Sequence, residues 1–144
     1  MIVREMTYND IASVADVDKK AFPDAWKTES FVDELKKDYS HYFVAETDGE
    51  ILGYAGIWCI YETAELIRIA TTPEFRKKGV AKELMQAILD CAKTCECERM
   101  MLEVRRSNTP AQELYKKFGF GEISVRKGYY SGEDAVIMEA KFTG

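Results

Sequence analysis

Residues 64–84 narrow the possible folds more than any other stretch, because they read as strand, turn and helix in direct succession. Ala64-Glu65-Leu66-Ile67-Arg68-Ile69-Ala70-Thr71 is apolar and β-branched enough for a sheet strand. Pro73 ends that strand, since proline has no N–H to give a ladder. From Val80 the apolar residues recur at helical spacing: Val80, Leu84, Ile88 and Cys91 form one face, and Ala81, Met85 and Ala92 lie beside it. Between strand and helix stands Arg76-Lys77-Lys78-Gly79-Val80-Ala81. Amides in the first turn of a helix are unpaired and carry the positive end of its dipole. Basic side chains there oppose the helix alone, but they suit it if an anion such as a pyrophosphate is to be bound. A solvated basic turn is the competing reading. Neither Gly-x-x-x-x-Gly-Lys-Ser/Thr nor Gly-x-Gly-x-x-Gly occurs, so this is not a phosphate loop of a familiar kind.

Helix and strand signals continue on both sides. Residues 2–6 read as a first strand. Thr7 caps a helix with Ile11, Val14, Ala15 and Phe22 on its apolar face, and Pro23 stops it. Thr28 caps a second, short helix carrying Phe31, Val32 and Leu35. Residues 41–46 and 51–61 are strands joined at Asp48-Gly49, a strong hairpin signal, and the longer one is apolar on both faces. The helix from Val80 runs to about Lys93. Residues 100–105 are a strand alternating Met101, Glu103 and Arg105 against Met100, Leu102 and Val104. Thr109-Pro110 starts a helix lined by Ala111, Leu114, Tyr115 and Phe118, which Gly119 ends. Residues 120–126 and 135–142 are strands, with 127–134 as the loop between them. The order β-α-α-β-β-β-α-β-α-β-β joins hairpins to two strand–helix–strand crossovers. It predicts an α+β fold: a mixed, mostly antiparallel sheet of about seven strands with four helices on both faces.

The 144 residues suit one domain, residues 1–144, with no internal repeat or linker. No stretch approaches the roughly 20 apolar residues of a membrane span. The N-terminal residues enter strand-like sequence directly, with no signal or transit peptide, so a cytoplasmic location is expected. A net charge of −5 argues against general nucleic-acid binding but would favour a basic peptide. The four cysteines, Cys59, Cys91, Cys95 and Cys97, are then expected as reduced thiols. Cys91-x-x-x-Cys95-x-Cys97 has no second cluster, and His41 is the only histidine, so the spacing predicts no metal.

Four stretches resemble one family. Ala64-Glu65-Leu66 through Pro73, Arg76-x-x-Gly79-x-Ala81, Leu102-Glu103-Val104-Arg105-x-Ser107-Asn108, and Ala111-x-x-Leu114-Tyr115-x-x-Phe118-Gly119-Phe120 are similar, in order, to motifs of the GNAT N-acetyltransferases. With Gly128-Tyr129-Tyr130 and Glu133-Asp134-Ala135-Val136-Ile137-Met138, they resemble the branch that acetylates the N-terminal alanine of a small-subunit ribosomal protein. The chain departs from that branch at Arg68, where Asn is usual, and at Ala81, where Gly is commoner. Gly128 and Ser131 stand where Asn and Pro are usual. The resemblance implies acetyl-CoA as cosubstrate, with its pyrophosphate on Arg76, Lys77, Lys78, Gly79, Val80 and Ala81. It also implies that the pantetheine arm pairs with the backbone of Ile69, Ala70 and Thr71 as an added strand. Asn108 either bonds the same arm or only holds a turn.

A peptide α-amino group has a pKa of about 8, so a weak base suffices near neutral pH. Glu103 is the expected base, acting through water, and Tyr115 the expected acid for the departing thiolate. The plainer readings are an exposed strand carboxylate and a packed helix tyrosine. Phe22, Trp26, Tyr129 and Tyr130 are candidate walls for the acceptor. No Ser-His-Asp set surrounds His41, so direct transfer is expected. The same machinery could serve a small amine or a lysine side chain, or bind acyl-CoA without catalysis.

Overall fold

The structure, a computed structural model, describes residues 1–75 and 79–142. The elements are β1 (Ile2–Glu5), α1 (Ile11–Ala21), α2 (Thr28–Leu35), β2 (Ser40–Thr47), β3 (Glu50–Ile60), β4 (Thr63–Thr71), α3 (Val80–Thr94), β5 (Arg99–Arg105), α4 (Thr109–Lys117), β6 (Gly121–Tyr130) and β7 (Glu133–Lys141). The strands form one sheet in the order β1-β2-β3-β4-β5-β7-β6. Among the described residues only β4 and β5 pair in parallel. A parallel pair needs a long crossover, and α3 supplies it. On one face α1 and α2 bury Val14, Val17 and Phe31 against Tyr42, Val44 and Tyr54. On the other, Leu84, Met85 and Ile88 of α3 and Tyr115 of α4 pack on Ile57, Met100, Leu102 and Met138.

The expected architecture is present, and four local readings need correction. Thr28 is the first helical residue of α2, with Lys27 at the cap position. Asn108, not Thr109, caps α4, its Oδ1 accepting the Ala111 N–H at 3.2 Å. An amide oxygen reaches the third backbone N–H from one position earlier, and this places Pro110 second in the helix. Residues 127–134 are mostly strand: β6 continues to Tyr130, β7 begins at Glu133, and only Ser131 and Gly132 turn. A register shift between Arg126 and Tyr130, with Gly128 at φ +61°, makes a bulge there. Finally, Leu89 rather than Cys91 completes the buried face of α3.

Two features of the sheet set up the site. Asp48 and Gly49 turn at φ +50° and +80°, closing the β2–β3 hairpin as their sequence predicts. Opposite them in importance is a slip between β3 and β4: Ile57 faces Leu66 and Gly56 faces Arg68, so Ile67 is the extra residue of a bulge. The bulge reverses the alternation along β4. Ala64 and Leu66 point into the core under α3, whereas Ala70 points into the core under α1. Strand β4 pairs with β5 only at Thr63↔Arg99, Ala64↔Met100 and Glu65↔Met101. Past Glu65 the two neighbouring strands part, and the sheet opens.

Candidate active site

That split leaves an edge inside the sheet. Ile69, Ala70 and Thr71 are paired to β3 through Ala55, Tyr54 and Gly53, but among the described residues no strand pairs with their other side. An extended ligand there would meet backbone donors and acceptors in strand spacing. The opening is a cleft of about 690 Å³ lined by Ala21 and Phe22 from the end of α1, by Ile69, Ala70 and Thr71, by Gly79, Ala81 and Lys82 at the start of α3, and by Asn108, Pro110, Ala111, Leu114 and Tyr115 of α4. Two helix N-termini therefore open on one cleft. Both bring positive dipole charge to it, which favours an anionic ligand; the first-turn amides of α3 face the cleft, whereas that of Ala111 in α4 is already taken by Asn108.

Sequence reading placed Ile69, Ala70, Thr71, Gly79, Ala81 and Asn108 in the cofactor site, and all six line the cleft. Val80 does not. Its side chain is 1% exposed in the core under the sheet, so only its backbone could serve a ligand. Arg76, Lys77 and Lys78 lie outside the described residues. Lys82 was missed, although it stands three positions after the glycine and could have been grouped with the basic run.

Gly79 is needed for its conformation. It sits at the N-cap of α3 with φ +80°, and a Cβ built on it meets nothing within 4 Å. Gly79→Ala should therefore destabilise by about 1–2 kcal/mol through backbone strain alone. Gly79→Asn should lose less, since asparagine tolerates the left-handed region. Urea unfolding of the two variants checks this, and equal losses would point to sterics instead.

Tyr115 is 6% exposed, tilted against Phe120 with ring centroids 6.0 Å apart, and lines the cleft. Burial, with a smaller contribution from the neighbouring Tyr130, pushes its phenol up to about 12. It stays protonated throughout the neutral range. Glu103 lies on β5 beyond the last pair with β4, on the face opposite Leu102 and Val104. It is not among the cleft-lining residues, and its carboxylate pairs with Arg126 Nη1 at 3.2 Å. Its neighbours are Glu65, whose carboxyl is raised by burial and by Glu103, and Tyr130, whose phenol is raised for the same two reasons. Tyr130 thus senses both Tyr115 and Glu103. Tyr130 also covers Arg105 at 4.1 Å and meets Tyr129 edge-on, and Tyr129 lies over Arg126.

Of the four aromatic wall candidates, Phe22 lines the cleft and the other three do not. Trp26 instead stacks, with Phe22, on the Arg68 guanidinium at 4.6 and 4.2 Å. Arg68 in turn forks onto Asp18, Nε to Oδ1 at 3.0 Å and Nη2 to Oδ2 at 2.8 Å. Asp18 is fully buried and also accepts from the Tyr54 hydroxyl and, at 2.8 Å, from the Trp26 N–H. The segment between α1 and α2 is therefore clamped to β4 by one buried ion pair. Sequence reading noted Arg68 only as a departure and missed Asp18.

Residues 11–120 match the model of the acetyltransferase (GNAT) family. A Bacillus subtilis (strain 168) protein, provisionally named ribosomal protein bS18-alanine N-acetyltransferase, is 42% identical over 139 residues, 94% of this chain and 92% of its own. An N-alpha-acetyltransferase of Sulfurisphaera tokodaii is 33% identical over 152 residues, 96% of this chain and 91% of its own. The crystal structure of the ribosomal-protein-S18-alanine N-acetyltransferase from Escherichia coli aligns with a TM-score of 0.91 over 99% of this chain and 94% of that one. At 24% identity this shows a shared fold.

Proposed function

The chain belongs to the GNAT acetyltransferase family, and from that premise we propose that it acetylates the N-terminal α-amino group of a protein, using acetyl-CoA. The observation that carries the reading is the split between β4 and β5: an unpaired strand edge running to two helix N-termini in one cleft. Acetyl-CoA supplies an acetyl thioester, an extended amide-bearing arm and a pyrophosphate. The edge at Ile69–Ala70–Thr71 suits the arm, and the amides at Gly79, Ala81 and Lys82 suit the pyrophosphate. The basic residues at 76–78 would add charge to the same end. Asn108 and Ala111 border the path. A backbone N–H of β4 would polarise the thioester carbonyl.

Glu103 would take the amine proton through water, with Arg126 fixing the position of its carboxylate. Tyr115 would donate its hydroxyl to the departing sulfur. A phenol near 12 is a weaker acid than a thiol of about 8.5, so it acts chiefly as a hydrogen-bond donor to developing charge. Such a bond is worth about 1.5–3 kcal/mol. Tyr115→Phe should accordingly keep its fold and its affinity for acetyl-CoA, while kcat falls by roughly 10- to 150-fold. Unchanged turnover would remove the role.

The relatives' names support alanine as the first residue of the acceptor and a small-subunit ribosomal protein as its source. The net charge of −5 suits a basic peptide, and the cytoplasm is where such a protein is made. Among the described residues no helix is long and apolar enough to cross a membrane. The deciding experiment incubates acetyl-CoA with an Ala-initiated peptide containing internal lysines and maps the product by mass spectrometry. Acetyl on the N-terminus is expected. Acetyl on lysine alone would change the acceptor class, and binding without thiol release from any amine would make the chain an acyl-CoA-binding module.

A further inference from the structure

Spacing along the chain argues against a metal, because Cys91-x-x-x-Cys95-x-Cys97 has no second cluster and the single histidine, His41, is remote in sequence. Folding removes that distance. His41 on β2 and Cys59 on β3 share the sheet face that packs under α3, since His41 pairs with Ile57 and Cys59 stands two residues on. Cys91 and Cys95 are one helical turn apart at the end of α3, held there by the Cys95 N–H donating to the Cys91 carbonyl at 2.9 Å. The Cys95 Sγ lies 3.7 Å from His41 Nε2. The ligand atoms of His41, Cys91 and Cys95 all fall within 4.8 Å of one another. Cys59, on the neighbouring strand, has Cys91 and Cys95 as the titratable neighbours that push its thiol up, but stands outside that group of three. All three thiols are free and half-buried, as is the imidazole, so solvent and ions can reach them.

We infer that His41, Cys91 and Cys95 bind a zinc ion, its fourth position taken by Cys59 drawn in from the adjacent strand or by a water molecule. One imidazole and two thiolates, with a third thiol nearby on β3, form a soft donor set of the kind that zinc takes. Around a tetrahedral zinc, with bonds of ~2.3 Å to sulfur and ~2.05 Å to nitrogen, a sulfur and a nitrogen stand roughly 3.6 Å apart. The 3.7 Å between Cys95 and His41 meets that requirement without rearrangement. Each thiol that binds exchanges its S–H proton for a Zn–S bond, with no change in oxidation state. None of the four residues lines the cleft, so the ion would be a structural clip. It would tie the β2–β3 hairpin to the far end of the helix whose start faces the anion. Packing of free thiols under a helix is the alternative. It accounts for Cys97, which is buried with its thiol directed at the Tyr61 carbonyl. It gives no reason for the sheet's half-buried His41 to meet two of the other three thiols.

The test uses the full chain, reduced and stripped with a chelator under anaerobic conditions, then titrated with Co²⁺. Intense visible d–d bands and a sulfur-to-cobalt charge-transfer band should saturate at about one equivalent, as four-coordinate thiolate sites do. Zn²⁺ should bleach them and raise the melting temperature. His41→Ala and Cys95→Ser should lose the bands and the rise in melting temperature, whereas Cys97→Ser should keep both. The wild-type titration decides even if a variant fails to fold. Weak octahedral spectra, binding with no thiolate charge transfer, or equal loss in Cys97→Ser would overturn the site. So would a chain that forms a disulfide in air and binds no cobalt when reduced.

Discussion

Arg68→Ala is expected to destabilise the protein by about 3–5 kcal/mol, because it strands a buried charge. Asp18 is wholly enclosed, and the guanidinium that neutralises it is itself only 16% exposed. Screening by solvent is therefore small. Tyr54 and the Trp26 N–H would still reach the carboxylate, but neither carries charge. Burial and the bond to Asp18 both push the Tyr54 phenol up, so it stays a neutral donor and brings no compensating charge. A loss of this size should lower the melting temperature by on the order of 10 °C. Removing both partners in Arg68→Ala/Asp18→Ala should cost less than the two single losses added, since the second deletion relieves what the first stranded. Arg68→Lys should recover only part, because an ammonium cannot fork onto both oxygens while filling the slot between Phe22 and Trp26. Urea unfolding measures all four. A loss below about 1 kcal/mol for Arg68→Ala would mean the pair is already solvated in the native state. Because Phe22 both covers Arg68 and lines the cleft, the acceptor's KM should rise in the surviving folded fraction while acetyl-CoA affinity changes little.

The contrast between Arg68 and Gly79 explains what a sequence displays and what it conceals. Gly79 announces itself locally: a glycine between a proline-terminated strand and an apolar-periodic helix is a capping position whatever surrounds it. The same holds for Asp48-Gly49 and for the helix beginning after Asn108, where the error was one residue. Local rules also give the order of elements, and an order with two crossovers leaves few sheets to choose from. Arg68 has no such local signature. Its role depends on the bulge at Ile67, which turns it toward α1, and bulges arise from pairing between strands. The opening of the sheet past Glu65 is likewise a matter of register between β4 and β5, which periodicity in either strand cannot report. His41 and Cys95 are the extreme case, since only the packing of α3 on the β2–β3 hairpin brings them together.

The same reasoning divides the site residues. Backbone-facing assignments at Ile69, Ala70 and Thr71 follow from the motif, because the strand edge is built by topology rather than by side chains. Val80 anchors the helix in the core through its side chain, so only its backbone amide is left for the cofactor. Tyr129 and Tyr130 were read as loop aromatics and stand instead on strand β6, stacked on arginines. Their position is set by the bulge at Gly128, where the amide donates to Asp134.

Glu103→Gln should lower kcat by roughly 10²- to 10⁴-fold if this carboxylate accepts the amine proton, with acetyl-CoA affinity unchanged. The substitution keeps the shape of the side chain and removes its basicity. It also breaks the ion pair with Arg126, an exposed contact at 3.2 Å whose loss alone should be almost silent in stability. The pH profile separates catalysis from folding. An α-amino group has a pKa of about 8, so its free-base fraction rises steeply between roughly pH 7 and 9. Wild type, which removes the proton itself, should level off below that range, whereas Glu103→Gln should keep climbing through it and regain part of the lost rate. Glu65→Gln is the needed comparison. Its carboxyl is raised by burial and by Glu103, so it is the nearest other group able to hold a proton at this end of β4. If Glu65→Gln loses as much as Glu103→Gln, the two carboxylates act as one proton-holding pair. If Glu103→Gln keeps the wild-type plateau, the base lies elsewhere, and Glu103 serves only to place Arg126 beneath Tyr129.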